Sequence, residues 1–225
     1  GVMIEPFSCA LHSVMRNRPR NEDTVLVVGA GTIGICVVAA IRALGIACNI
    51  VVLSKYDVQT QLASRYGADK VIRLSGKGYG SIYETAEALK ARVLKPVIGP
   101  PVIVGGADIV FECVGNSRSV GDALRFARSG GKVVLLGLAG FLDRVDWTTV
   151  WLNELDVKGS FAYGTEEFNG RRMKTMEVAI ELMKSGKVDL SPLVTHRFPL
   201  AKYKEAFATL VNKGKEACMK AVFEP

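Results

Sequence analysis

Hydrophobic and polar positions follow two alternating periods over most of the chain. Short runs rich in β-branched residues are separated by longer segments in which apolar residues recur every three or four positions. This order is typical of a parallel sheet covered by helices on both faces, and it predicts an α/β, doubly wound (Rossmann) fold. The predicted strands are Thr24–Val28, Asn49–Leu53, Lys70–Arg73, Ile109–Cys113, Lys132–Leu136 and Asp156–Phe161. The predicted helices are Ile33–Leu44, Val58–Tyr66, Ser81–Arg92 and Val120–Ala127.

The pattern changes after Gly170. One helical face is marked by Met176, Ala179, Ile180 and Met183. Gly186 lies where that helix should end. A strand in the stretch LVTHRF, a helix over Lys202–Val211 and a last strand over Met219–Phe223 are predicted to follow. We therefore divide the chain into a nucleotide-binding domain, residues 1–165, and a small C-terminal α+β segment, residues 166–225.

The stretch KPVIGPPVIVGGA, Lys95–Ala107, is unusual for a connection. Its prolines argue against a central strand, and a loop of this length is commonly functional or covered by another part of the protein. Two interpretations stay open: a loop folded over its own sheet, and a contact with another domain or subunit.

Composition narrows the class of protein. Of 225 residues, 49% are hydrophobic, which is enough to bury a core, yet no apolar run reaches the roughly 18 residues that a membrane span needs. The five cysteines are widely spaced among apolar neighbours, which indicates reduced core thiols. We expect a cytoplasmic protein with no membrane contact. The net charge of +7 comes from scattered side chains, so we expect no nucleic-acid partner.

The candidate cofactor site begins with the first strand. Gly29, Gly31 and Gly34, with Thr32 and Ile33 between them, form G-x-G-x-x-G after an apolar strand and before a helix. In this context the first glycine allows a tight turn, the second lets the backbone approach a pyrophosphate, and the third lets helix and strand pack closely. The helix N-terminus then faces the phosphates of a dinucleotide.

The end of the second strand indicates which dinucleotide. An acidic residue there would bind the ribose hydroxyls of NAD, but the sequence has Ser54, Lys55 and Tyr56. A hydroxyl and an ammonium group suit the 2′-phosphate of NADP, so NADP is the predicted cofactor, with NAD as the alternative. Asp57 would reach the ribose only in a shifted register, and Tyr56 is a candidate to stack on the adenine.

Several motifs resemble the medium-chain, zinc-containing alcohol and polyol dehydrogenases over nearly the whole chain. In order they are EPFSCALHSV, VVGAGTIG, YGADKVI, ADIVFECVG, GGKVVLLGLAG, ELDVKGSFAYG and HRFPLAKYKEAF. The resemblance implies hydride transfer between an alcohol or carbonyl substrate and a nicotinamide, with zinc polarising the oxygen. It also implies that an N-terminal catalytic domain precedes these motifs, so we expect a fragment whose residues 166–225 belong to that incomplete domain.

The resemblance assigns roles to individual residues. Glu5 falls where the family places a zinc ligand, which makes it a catalytic-site and metal-binding candidate in an intact enzyme. Its other interpretation is a carboxylate at a helix N-terminus. In this chain alone we expect no zinc. His12 and His196 lie in family motifs where they serve packing.

The remaining cofactor-binding candidates also come from the resemblance. Val114 and Gly115 should border the adenosine ribose and the nicotinamide side of the crevice. The main chain of Leu136, Gly137 and Leu138 should touch the nicotinamide. The other candidates are Ser160, Phe161 and Ala162, which align with the segment that fixes the carboxamide, and Lys220, which aligns with a basic residue near the pyrophosphate.

Two other functions stay open at this point. One is a zinc-free quinone or enone reductase of the same superfamily, and the other is a non-catalytic NADP(H)-binding module. A homodimer, formed by edge strands around Leu155–Gly159, is expected by analogy with the family.

Overall fold

A computed structural model of the protein describes residues 1–74, 80–97 and 101–224. The strands, in chain order, are β1 (Thr24–Val28), β2 (Asn49–Ser54), β3 (Lys70–Arg73), β4 (Arg92–Leu94), β5 (Val102–Val104), β6 (Ala107–Glu112), β7 (Ala127–Leu135), β8 (Asp156–Gly159), β9 (Thr165–Phe168), β10 (Arg171–Lys174), β11 (Val194–Pro199) and β12 (Lys220–Glu224). The α-helices are α1 (Ile4–Arg16), α2 (Thr32–Ala43), α3 (Asp57–Arg65), α4 (Gly80–Ala88), α5 (Ser117–Phe126), α6 (Thr148–Leu152), α7 (Thr175–Lys184) and α8 (Tyr203–Val211).

The centre of the molecule is a six-stranded sheet in the order β3-β2-β1-β6-β7-β8. All neighbouring strands in it are parallel. The order reverses at β1, which pairs with β2 on one side and β6 on the other. In sheets of this kind ligands bind outside the carboxyl ends of the strands at the point of reversal. The predicted α/β doubly wound fold is confirmed.

The inner strands pack on both faces, as their uninterrupted apolar runs predicted. Val25 and Val27 of β1 belong to a hydrophobic cluster that also contains α1, α2 and α7. Leu26 and Val28 belong to the opposite cluster, which contains α4 and α5. Because each fully buried aliphatic side chain contributes roughly 1.5–3 kcal/mol, these two layers account for most of the driving force for folding.

The C-terminal part does not have a separate core. Val178, Ala179 and Leu182 of α7 pack in the same cluster as α1 and α2. The remaining strands form small two-stranded sheets, β9 with β10 and β11 with β12. The division at residues 165 and 166 stays a prediction.

Several boundaries predicted from the pattern need correction. The helix predicted for Ser81–Arg92 ends at Ala88, because Lys90 has a left-handed backbone (φ 54°) and Arg92 begins β4. The strand predicted for Asp156–Phe161 ends at Gly159.

The described part of the stretch Lys95–Ala107 agrees with the first of the two interpretations, a segment folded over its own sheet. The loop contains β5, which pairs antiparallel with β4, and Ile103 of β5 is buried in the core. The hairpin therefore packs on its own sheet. Residues 98–100 of this stretch lie outside the described residues.

In the described part of the chain, the helices are all too short or too polar to cross a membrane.

Candidate functional site

Two glycines hold the turn between β1 and α2 in a shape that other residues cannot adopt. Gly29 has φ of +99°, and a Cβ placed on it would lie 2.2 Å from Cγ2 of Val114. A Cβ on Gly34 would lie 1.9 Å from the carbonyl oxygen of Gly29. The first turn of α2 therefore presses directly against the preceding turn, as the spacing predicted.

Gly31 has a different environment. A Cβ on this residue would meet no atom within 4 Å, so the space above it is open. Within the described residues, no protein acceptor binds the amide groups of residues 30–34. Free amides at a helix N-terminus bind anions, because they combine hydrogen-bond donors with the positive end of the helix dipole. This geometry fits a pyrophosphate.

A cleft of about 470 Å³ continues from this turn along the carboxyl ends of β1, β2 and β6. Its walls include Gly29 and Gly31, Ser54 to Tyr56 at the end of β2, and Val114 in the turn after β6. The structure thus brings together residues that the sequence had placed in separate motifs. A second cavity of about 600 Å³ lies between α4 and α5, but the free amides do not line it.

The turn after β2 fixes the candidate ribose-binding residues. Ser54 is buried, and its hydroxyl lies 2.7 Å from that of Thr60. Lys55 is exposed in the cleft, with its Nζ 5.4 Å from the centre of the Tyr56 ring. Gln59 Oε1 accepts hydrogen bonds from the amides of Lys55 and Tyr56, at 2.9 and 3.2 Å. Of the predicted pair, Lys55 is the cation free to meet a ligand.

Asp57 is occupied elsewhere. Its carboxylate lies 2.6 Å from Arg73 at the end of β3. Asp57 begins α3, and its pairing with Arg73 disfavours the shifted register that would bring it to the ribose.

The C-terminal segment reaches back to the same cleft. A Cβ on Gly214 would lie 2.3 Å from the ring of Tyr56, so backbone and ring are in close contact. Lys213 lines the cleft beside Lys55. Lys220 lies close enough to α2 to lower the pKa of the Cys36 thiol, although burial outweighs this effect and raises that pKa to about 12.

The carboxyl ends of β6 and β7 form one interlocked unit. Glu112 is fully buried, and its Oε1 accepts hydrogen bonds from the amides of Val114 (2.8 Å) and Gly115 (2.9 Å). Its main-chain oxygen accepts hydrogen bonds from the amides of Leu136 and Gly137. A Cβ on Gly115 would lie 2.5 Å from the amide nitrogen of Leu138, so these turns touch.

The predicted carboxamide segment continues from β8. The amide of Ser160 donates a hydrogen bond to the carbonyl of Leu135, at 2.9 Å. Phe161 is 84% exposed, and Ala162 has a left-handed backbone with φ of +53°. This segment therefore lies beside the end of β7, in an irregular conformation suited to presenting main-chain groups.

Comparison with known proteins identifies the family. Residues 32–183 match the family described as zinc-binding dehydrogenase. The chain belongs to the zinc-binding dehydrogenase family. It is 34% identical to an L-idonate 5-dehydrogenase from Vitis vinifera over 216 residues, which cover 95% of this chain and 53% of that protein. It is 33% identical to human sorbitol dehydrogenase over 210 residues, 93% of this chain and 52% of that protein. The chain thus spans about half the length of the curated relatives it matches.

Solved structures give the same fold. A zinc-binding dehydrogenase from Sinorhizobium meliloti, bound to NADP, superposes with a TM-score of 0.73 at 25% identity, covering 99% of this chain and 58% of the other. An alcohol dehydrogenase from Escherichia coli CFT073, complexed with NADH, gives a TM-score of 0.75 at 22% identity, covering 100% of this chain and 58% of the other. The resemblance inferred from the motifs is confirmed.

Zinc does not fit the residues that this part of a zinc-binding dehydrogenase provides. Glu5 lies exposed in the first turn of α1. A nearby side chain of a type that can bind zinc is Cys9, whose Sγ lies 3.4 Å from Oε1 of Glu5. Burial, followed by the hydrogen bond to Glu5, raises the pKa of Cys9 to about 11. Among the described residues, no three His, Cys, Asp or Glu side chains converge on one point.

The two histidines have different surroundings. His12 of α1 forms a close pair with Glu166 of β9, whose other oxygen lies 3.3 Å from Arg16. This buried pair ties the first helix to the β9–β10 hairpin. His196 is partly exposed and stacks on Phe198, with ring centres 6.2 Å apart.

Sequence reasoning missed Gln59, Glu112 and Lys213. A signal existed for Gln59, because glutamine at the third position of a helix commonly reaches back to the amide before it. For Glu112 the signal was an acidic residue inside an apolar strand. Lys213 gave no signal, since its neighbour in the cleft is distant in sequence.

Proposed function

We propose that the chain is the cofactor-binding part of an NADP-preferring alcohol or polyol dehydrogenase. The observation that carries this proposal is the set of unbonded amides at residues 30–34, facing a cleft that Lys55 lines. Membership of the zinc-binding dehydrogenase family supports it, and the polyol specificity rests on the sorbitol and idonate relatives.

The residues of this chain would bind and orient the cofactor. The amides after Gly31 would hold the pyrophosphate, Lys55 would meet the 2′-phosphate, and the turns at Val114 and Leu136 would border the nicotinamide. When bound, a nicotinamide accepts or releases hydride from the carbon of an alcohol or carbonyl substrate. The turns at Val114 and Leu136, which are joined through Glu112, would cover one side of that ring.

The preference for NADP follows from charge. Lys55, Lys213 and Arg118 all line the cleft, together with the carboxylate of Asp122, which lies 3.5 Å from Arg125 and 4.0 Å from Arg118. Asp57, at the start of α3, pairs with Arg73. A 2′-phosphate there would gain charge-assisted hydrogen bonds without meeting an unpaired carboxylate, whereas NADH lacks the group that these cations would bind.

Titration of the 225-residue chain with each cofactor tests the preference. We expect NADPH to bind about tenfold or more tightly than NADH, and Lys55→Ala to remove most of that difference, since one charge-assisted contact contributes on the order of 1.5–3 kcal/mol. Lys184→Ala, at the end of α7, serves as the control and should leave both dissociation constants unchanged. Equal affinities in the unsubstituted chain would refute the NADP assignment.

Three further statements belong to this proposal. Glu5 would bind zinc only in a protein that supplies further zinc ligands in addition to the described residues. A reducing, cytoplasmic location is supported by the five free cysteines. A homodimer is supported by β8, which is an edge strand of the central sheet and is preceded by exposed Trp151.

A further inference from the structure

We propose that Glu112 is a positioning residue that sets the distance between the two turns bordering the middle and nicotinamide side of the cofactor. The inference rests on the proposed function, because it assumes that a dinucleotide occupies the cleft. Glu112 itself does not touch the ligand in this proposal. It acts through the backbone of Val114 and Gly115.

Glu112 accepts hydrogen bonds from both turns, the one after β6 and the one after β7. Its side-chain Oε1 accepts two amide hydrogen bonds from the turn after β6, at 2.8 and 2.9 Å. Its main-chain oxygen accepts two more from the turn after β7, at 2.9 and 3.0 Å. Any shift of Glu112 therefore moves both turns together.

Packing leaves these turns little freedom. A Cβ on Gly137 would lie 2.2 Å from the amide nitrogen of Gly115 and 2.6 Å from Oε2 of Glu112. Val114, held by Glu112, is 48% exposed and lines the cleft. The carboxylate thus lies directly beneath the surface that a dinucleotide would contact.

The second carboxylate oxygen of Glu112 lowers the stability of the folded state. Oε2 is buried and has no hydrogen-bond partner among the described residues. Burying an oxygen of this kind without a partner is unfavourable. Accepting two amides needs one oxygen, which an amide side chain would also supply.

Binding of two ligands separates positioning from general stability. NADPH reaches across both turns, whereas 2′,5′-ADP carries only the adenosine and its phosphates. We expect Glu112→Ala in the 225-residue chain to weaken NADPH binding about tenfold or more and 2′,5′-ADP binding by a smaller factor, because 2′,5′-ADP would meet only the turn at Val114 whereas NADPH would also reach the turn at Leu136. Glu112→Gln keeps an oxygen acceptor and should return NADPH binding to within about threefold of the unsubstituted chain.

Asp108 provides a matched control at the opposite end of the same strand. It is also a carboxylate that accepts a backbone hydrogen bond, from the amide of Thr24 at 2.7 Å. Asp108→Asn should leave the ratio of the two dissociation constants unchanged. If Glu112→Ala does not fold, Glu112→Asp replaces it, because the shorter side chain cannot hold both amides at these distances.

The outcomes are distinguishable. Equal weakening of both ligands, or no weakening of either, would overturn the role of Glu112 while leaving NADP binding intact. Failure of the unsubstituted chain to bind NADPH at all would instead overturn the proposed function.

Discussion

Gly31 and Gly34 stand one turn of chain apart but are required for opposite reasons. At Gly34 any side chain would collide with the carbonyl of Gly29, whereas at Gly31 the space is open on the protein side. The first is a requirement of the fold, and under the proposed function the second leaves room for the ligand.

Alanine at each position should separate these requirements. Gly34→Ala should lower the free energy of unfolding by about 1–3 kcal/mol, because α2 must move away from β1. Gly31→Ala should change stability by less than about 1 kcal/mol, since it occupies the N-cap of α2, but should weaken NADPH binding by crowding the pyrophosphate. Urea denaturation and NADPH titration measure the two effects. A Gly34→Ala protein as stable as its parent would contradict this account.

At the residue scale, the sequence predicted a residue's role where that role depends on its neighbours in the chain, and not where it depends on tertiary contacts. The glycine spacing specifies its own turn, so the residues and their reasons could be read from the sequence. The role of Lys55 also followed from its place after a strand. From the sequence, Ser54 was as good a candidate as Lys55. In the structure its hydroxyl is hydrogen-bonded to that of Thr60, and this contact depends on how α3 packs.

At the scale of elements, Asp108 links strands through their ends. Its carboxylate accepts the amide of Thr24 on β1 and pairs with Arg128 on β7. Burial favours the protonated form, but these two partners outweigh it, so the pKa of Asp108 is lowered from its ordinary value of 3.8.

A pH dependence follows from the lowered pKa. A carboxylate whose pKa is lower in the folded state stabilises the fold above its ordinary value and loses that contribution as the pH falls through the folded value. The unsubstituted chain should therefore lose more stability than Asp108→Asn as the pH falls from about 5 to about 2. Thermal melting across this range measures the difference. Parallel melting curves for both proteins would rule out the linkage.

Elements with a strong hydrophobic periodicity were predicted from the sequence, and elements stabilised by contacts between distant side chains were not. The strands of the central sheet follow from their apolar runs. Helix α1 was missed as an element, although Phe7, Leu11 and Val14 recur at helical spacing, because its sequence was interpreted as a motif. The β9–β10 hairpin has no apolar alternation, and Glu166 is held there by His12 and Arg16.

At the scale of the whole molecule, the surface around β8 predicts self-association. Trp151 is 71% exposed and Leu152 61% exposed, just before the edge strand. An open edge with adjacent apolar side chains favours pairing with a second copy.

Sedimentation velocity tests this association. We expect a dimer for the 225-residue chain and a shift towards monomer for Trp151→Lys, because the new charge would be buried in the interface. Phe207→Lys on α8, where the side chain is 61% exposed, is the control and should leave the dimer intact. A monomer at high concentration in the unsubstituted chain would exclude the interface.

The doubly wound parallel sheet could be predicted at this scale, because strand and helix alternation leaves only a few arrangements. The family resemblance also placed Lys220 near the pyrophosphate. Nothing in the sequence near Lys213 indicates that this residue would line the cleft, since that depends on how β12 pairs with β11.

The contact between Gly214 and Tyr56 has a consequence for handling the protein. Lys213 and Gly214 form one wall of the cleft, and the strand that follows them, β12, is paired with β11. Cleavage of the backbone near Lys213 would therefore alter the wall beside Tyr56 while leaving the six-stranded central sheet intact.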